Sequence, residues 1–153
     1  MDKSSDVLHV VVLGTPKGKA RPRVCLRGGH AHAYTPKETA EYERTIWHAA
    51  RNAMVDAGWL KVEKPTALKV EILATFSVPK SWTKKRRAGA LQGVEHHVSK
   101  PDCDNITKAA LDGMNGIVFE DDAQVIECRT TKAYGDIARL DIYVETVSDW
   151  RML

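Results

Sequence analysis

The densest chemistry in this 153-residue chain lies in Lys100-Pro101-Asp102-Cys103-Asp104-Asn105-Ile106-Thr107-Lys108. Proline restrains the residue before it to extended backbone, so Asp102 is expected to close an extended loop and Asp104 to cap the helix that follows. Residues two apart in extended chain project to the same side, which lets the two carboxylates converge. Lys108, four residues beyond Asp104, falls one turn up the same helix face. Two carboxylates beside an ammonium make an oxygen-lined site of the kind Mg²⁺ takes, with water and phosphate oxygens filling its remaining positions. A second acidic group, Glu120-Asp121-Asp122, follows the Gly113/Gly116 exit of that helix. If the chain folds back there, a third carboxylate reaches the pair. Two like charges ~4 Å apart at an effective dielectric near 20 repel by on the order of 4 kcal/mol, so such a cluster calls for a cation.

Each half also has a plain structural reading. An Asp-x-Asp pair is common, an aspartate at position 104 can be a helix cap alone, and Asp121-Asp122 can be a polar turn. Other metal chemistries fit less well. An EF-hand loop fails because the fifth position counted from Asp102 is Ile106 and the required glycine is missing. Cys25, Cys103 and Cys128 form no CxxC pair, and the six histidines, with His30/His32 and His96-His97 expected in exposed loops, lack zinc-ligand spacing. Neither a Walker-type phosphate loop nor a GxSxG elbow is present.

The charge pattern narrows the partner. Net charge is only +3, but Lys17, Lys19, Arg21, Arg23 and Arg27 crowd one segment and Lys84, Lys85, Arg86 and Arg87 another, while acidic residues gather at 102–127. Basic runs beside an acidic cluster suit a polyanion held over a cation centre; one basic run alone would read as a solvated loop. Lys17, Lys19, Arg21 and Arg23 are the candidates for contacts to a nucleic-acid backbone. With 43% hydrophobic and 28% charged residues the chain has a globular profile. It lacks the ~20-residue apolar run a membrane span needs. A polar start without a cleavage-like site and an odd cysteine count point to the reducing cytoplasm.

These residues need elements to position them. Asp6–Gly14 reads as a buried first strand and Arg23–Arg27 as a short one, turned by Gly28-Gly29. Thr35-Pro36-Lys37-Glu38 is expected to open a long helix as a capping box, and Gly58 to end it. Thr66–Val78 alternates as a half-buried strand with Leu68, Val70, Ile72, Ala74, Phe76 and Val78 inward. A short basic helix is expected over 81–92 and a second helix from Asp102 to Gly116. Strands near 124–133 and 138–146 follow, joined by a turn at Tyr134-Gly135-Asp136. The order predicts one α+β domain over residues 1–153, a mixed sheet packed by helices.

The run Pro101–Asp112, followed by Asp121-Asp122-Ala123-Gln124-Val125, closely resembles the RusA family of Holliday junction resolvases. Pro16-Lys17-Gly18-Lys19-Ala20-Arg21-Pro22-Arg23 and Tyr34-Thr35-Pro36 resemble that family's opening segment, so the likeness covers most of the chain. It implies a RusA-like fold and a small homodimer from bacteria, phage or prophage. It also implies a crossover junction endodeoxyribonuclease that makes paired, symmetric cuts in four-way DNA junctions, in recombination or repair, with Mg²⁺ or, in substitution, Mn²⁺. Carried across by motif, Asp102, Asp104 and Asp122 hold the metal, Lys108 is the catalytic lysine, and Asp121 either assists or only orients. The segment Ser81–Lys100 is longer than in compact members, which leaves the Lys84–Arg87 run as either an added DNA contact or a solvated insertion. The competing readings are a Mg²⁺ nuclease acting on flaps or single strands, a DNA-binding protein without catalysis, and an oligomerisation domain.

Overall fold

Alternation of apolar and polar residues builds the sheet. The computed structural model describes residues 7–148. Strand β1 (Val7–Leu13) buries Leu8, Val10 and Val12; Asp6, expected to begin it, lies outside the described residues. The chain then runs through the basic loop into β2 (Arg23–Arg27) and β3 (His30–Tyr34), helix α1 (Lys37–Ala57) and β4 (Ala67–Ser77). Next come α2 (Lys84–Leu91), α3 (Cys103–Met114), a 3-10 turn at Asp122–Gln124, β5 (Val125–Gly135) and β6 (Arg139–Val147). The architecture is α+β, as expected: a four-stranded mixed sheet in the order β1-β6-β4-β5, and a separate β2-β3 ribbon. Within the sheet β4 pairs parallel with β5, while β6 runs antiparallel to both β1 and β4.

The two central strands carry the core. Val70, Ile72 and Ala74 of β4 stand beside Val144, Ile142 and Leu140 of β6, all fully buried. Ile46 and Ala50 of α1 and Ile106, Ala110 and Met114 of α3 join the same cluster. The helices approach each other at Gly113, where a Cβ would come within 2.7 Å of the Ile46 side chain and 3.1 Å of the Glu43 carbonyl oxygen. Strand β5, at one edge of the sheet, buries no side chain completely. Among the described residues no helix is long and apolar enough to cross a membrane.

Five local expectations change. Helix α1 begins at Lys37 with Pro36 at the cap position and no side-chain cap, so the Thr35/Glu38 capping box does not form. Helix α3 is capped from Asp102, not Asp104, because the Ile106 amide already bonds the Asp102 carbonyl at 3.0 Å. Residues His30–Tyr34, expected as loop, form β3, and Tyr134-Gly135 continue β5 in place of turning. His97, expected in an exposed loop, stacks on Phe76 with ring centroids 3.8 Å apart.

Candidate active site at the start of helix α3

Three ties hold the start of α3 in place. Lys132 of β5 donates to the Ser99 carbonyl at 2.7 Å and the Pro101 carbonyl at 3.0 Å, gripping the loop that delivers Asp102. Two residues back on β5, Thr130 shares a 2.6 Å hydrogen bond with Thr107. On the other side the Lys19 amide donates to the Asn105 carbonyl at 2.9 Å. Gly18 makes that approach possible, since a Cβ there would lie 2.9 Å from the Cβ atoms of both Asn105 and Pro101. Next in the chain, the Ala20 amide bonds Thr39 Oγ1 of α1 at 3.1 Å. The basic loop is thereby laid across the mouth of the helix.

What results is a groove of about 900 Å³. Lys17, Lys19, Arg21, Arg23 and Lys100 line it together with Asp102 and Asn105. Segments far apart in the chain thus line one groove with cations and, from Glu38 and Asp102, two carboxylates. Asp102 sits in extended backbone (φ −75°, ψ 152°) with its side chain making no cap bond. Asp104 lies in the first turn of α3 and Lys108 one turn on. All three side chains are exposed, and none has a hydrogen-bond or ion-pair partner among the described residues.

The same stripe continues at Asp112, eight residues beyond Asp104. Here the charge is matched: Lys19 bonds the Asp112 carboxylate and reaches Glu43 at 3.1 Å. The Asp112 hydrogen bond raises the Lys19 pKa, burial opposes it, and Glu43 raises it further. Sequence reasoning missed Asp112 and Glu43 as members of this neighbourhood, although the i, i+4, i+8 spacing of Asp104, Lys108 and Asp112 signalled the first.

Asp121 and Asp122 are presented by a tight turn. Asp121 accepts from the Ala123 amide at 3.3 Å while Gln124 Oε1 accepts from the Asp121 amide at 2.9 Å, a capping box. Gln124 also donates to the Val62 and Thr66 carbonyls at 3.3 and 3.0 Å. Asp121 pairs with Lys64 at 3.0 Å, which holds its carboxyl below the usual range. Asp122 is pushed the other way, first by its hydrogen bond with Asp121, then by burial, then by the charges of Asp121 and Asp112. Asp121 is therefore occupied by the fold, as Asp112 is by Lys19; Asp122 feels both acids and has no ion-pair partner of its own among the described residues.

The donor chemistry suits a hard divalent cation: oxygen only, with two carboxylates unused by the protein and a third crowded by its neighbours. Asp122 is brought beside Asp112 and Asp121, and among the described residues no three His, Cys, Asp or Glu side chains are gathered as a metal-holding group. Further along, α2 presents Lys84, Lys85 and Arg87 to solvent. Arg86 instead stacks over Trp82 at 3.5 Å and bonds both oxygens of Glu95.

The chain is 25% identical over 143 residues to YqaN of Bacillus subtilis (strain 168), described as an uncharacterized protein, an alignment that covers 94% of this chain and 99% of that one. The family model described as Endodeoxyribonuclease RusA matches residues 14–145, which takes in the basic loop, the groove, α3 and the Asp121-Asp122 turn. The chain belongs to the RusA endodeoxyribonuclease family.

Proposed function

We propose that the protein is a Mg²⁺-dependent resolvase that cuts four-way DNA junctions by paired, symmetric phosphodiester hydrolysis, as a homodimer in the cytoplasm of a bacterial or phage-infected cell. The observation that carries this reading is the groove, lined by Lys17, Arg21, Arg23 and Lys100 together with Asp102, whose carboxylate has no partner among the described residues. Asp102, Asp104 and Asp122 would hold the cation, with Asp121 orienting Asp122 through the capping box. A divalent ion bound there supplies Lewis-acid relief of charge on the phosphate and a more acidic water; Mn²⁺ can take its place. Lys108 stands one turn from Asp104 with its ammonium unpaired among the described residues, suited to meet the charge that grows on the phosphate oxygens. Lys17, Lys19, Arg21 and Arg23 supply backbone contacts, Lys19 from a fixed position because Asp112 and Glu43 already hold it. Two protomers related by a two-fold axis would offer one site to each of two equivalent strands.

Incubation of the purified protein with a synthetic four-way junction, a flap and a linear duplex, with and without Mg²⁺, tests this. Symmetric nicks in the junction that need Mg²⁺ and leave 5′-phosphate ends are expected. Equal or better cutting of the flap would move the substrate to another branched DNA; binding without cutting in either Mg²⁺ or Mn²⁺ would make the protein a DNA binder alone.

A further inference from the structure

The β2-β3 ribbon is two-faced, and among the described residues both faces are exposed apart from the half-buried Cys25. Residues directly paired in an antiparallel ribbon share a side. The register therefore puts Arg23 with Tyr34, Cys25 with His32 and Arg27 with His30 on one side. Val24 with Ala33 and Leu26 with Ala31 take the other. Every residue of the ribbon is exposed except the half-buried Cys25, and Leu26 is 78% exposed. Isolated two-stranded ribbons are marginal in water, so this one gains stability from whatever lies against it.

Charge and continuity identify the occupant. From Val7 to Lys37 the chain contains no carboxylate, so the polar side of the ribbon has guanidinium, imidazole and phenol groups and nothing to repel a polyanion. Arg23 and Arg27 have no ion-pair partner among the described residues. Arg23 is both the first residue of β2 and part of the groove wall that holds Asp102. The ribbon's polar side is thus an outward extension of the groove. Five residues of strand span roughly 17 Å, and a two-stranded ribbon is an object the DNA major groove admits.

We propose that the β2-β3 ribbon is a DNA-gripping arm. It lays the Arg23–Tyr34, Cys25–His32, Arg27–His30 side into a groove of the duplex arm leaving the cleavage site, so that the substrate is held on both sides of the cut. This rests on the branched-DNA reading above and extends it to a surface 10–20 Å beyond the reacting phosphate, a rough distance set by strand rise.

The test compares the two sides of the ribbon in the full-length protein. The polar-side variant is Arg27→Ser with His32→Ser, the apolar-side variant Val24→Thr with Leu26→Thr. Affinity for a synthetic four-way junction is measured in EDTA across a salt series, alongside sedimentation and thermal melting. The polar-side pair should weaken binding about tenfold and flatten the salt dependence by roughly one unit of slope, one lost phosphate contact. The apolar-side pair should bind within twofold of the unaltered protein. If the polar-side pair binds as the unaltered protein does, the arm does not touch DNA. If only the apolar-side pair loses affinity, or dissociates a dimer that the polar-side pair leaves intact, the ribbon is a contact between copies of the chain and the inference is overturned. An unaltered protein that binds no branched DNA at all would remove the underlying function; a polar-side pair matching an active unaltered protein removes only the arm.

Discussion

Helix α3 has two ends that treat charge in opposite ways. At its start Asp102, Asp104 and Lys108 are exposed and partnerless among the described residues. Two turns on, Asp112 is tied to Lys19, which also reaches Glu43, and Gly113 lets Ile46 of α1 come within contact. The far end is charge-matched because it packs; the near end is left unmatched where the helix meets the groove. Exposed ion pairs are worth only about 0–1 kcal/mol, so stability neither requires nor strongly opposes the free acids. The cation site proposed above would account for them. The largest effect expected from breaking this contrast is Asp104→Asn, which should lower junction cleavage about 10²–10³-fold or more. Its melting temperature should stay within about 2 °C of the unaltered protein. A large fall in melting temperature instead would make Asp104 a structural residue and dissolve the comparison.

The packed end should fail in the other currency, stability. Gly113→Val would force side-chain carbons into Ile46 and the Glu43 carbonyl, and overpacking of this kind destabilises by about 1–3 kcal/mol. Chemical denaturation should show that loss, and a valine accepted at no measurable loss would mean that α1 and α3 are not in close contact there. A smaller change is expected from Lys19→Met, which strands Asp112 and Glu43. With Lys19 a quarter exposed, about 1 kcal/mol is the scale, set between surface and buried pairs. Arg21→Met, on the unpaired stretch of the same loop, should leave stability unchanged while both variants bind the junction less well. Equal stability losses from the two would erase the distinction.

The parts of this molecule that could be read from its residues are those in which one local pattern decides. Strand β4 alternates because one face is buried, and Leu68 through Val78 behave as their spacing predicts, whereas β6 breaks alternation at Asp141, buried between Leu140 and Ile142 and bonded to His9 and Arg139. Strand β3 carries the sequence His-Ala-His-Ala-Tyr, wholly exposed, and exists only through its pairing with β2; no burial pattern announces it. The cap of α3 moved from Asp104 to Asp102 because helical bonding begins as soon as the chain leaves Pro101. The placement of Lys108 one turn beyond Asp104 was legible, whereas the extended backbone expected to converge Asp102 with Asp104 is absent, because Asp104 already lies in the first turn of α3. The Lys19–Asp112 pair spans 93 residues, and Lys132 binds main-chain carbonyls, which look the same at every position in a sequence. Tertiary contacts of this kind supply the positioning, and they are what residue types alone do not display.

The smallest expected effect concerns the support beneath the free end. The His97 ring lies on Phe76 and edge-on to Tyr134, with its Nδ1 buried and unpartnered among the described residues. Burial lowers its pKa from 6.5, and the nearby Lys132 ammonium lowers it further. The sign follows from linkage. A histidine with a depressed pKa in the folded protein stays neutral there after the unfolded chain has begun to take up a proton, so its contribution is fully present above pH 6.5 and is lost as pH falls through the depressed value. Melting temperature should therefore decline on acidification from pH 7 towards 5, and His97→Phe, which keeps the stacked ring and removes the titration, should flatten that part of the profile. Since Lys132 grips both Ser99 and Pro101, charging His97 beside it would loosen the loop that presents Asp102. Junction cleavage by the unaltered protein should then fall with acid more steeply than in His97→Phe. Identical acid limbs for the two proteins would place His97 outside the support of the site.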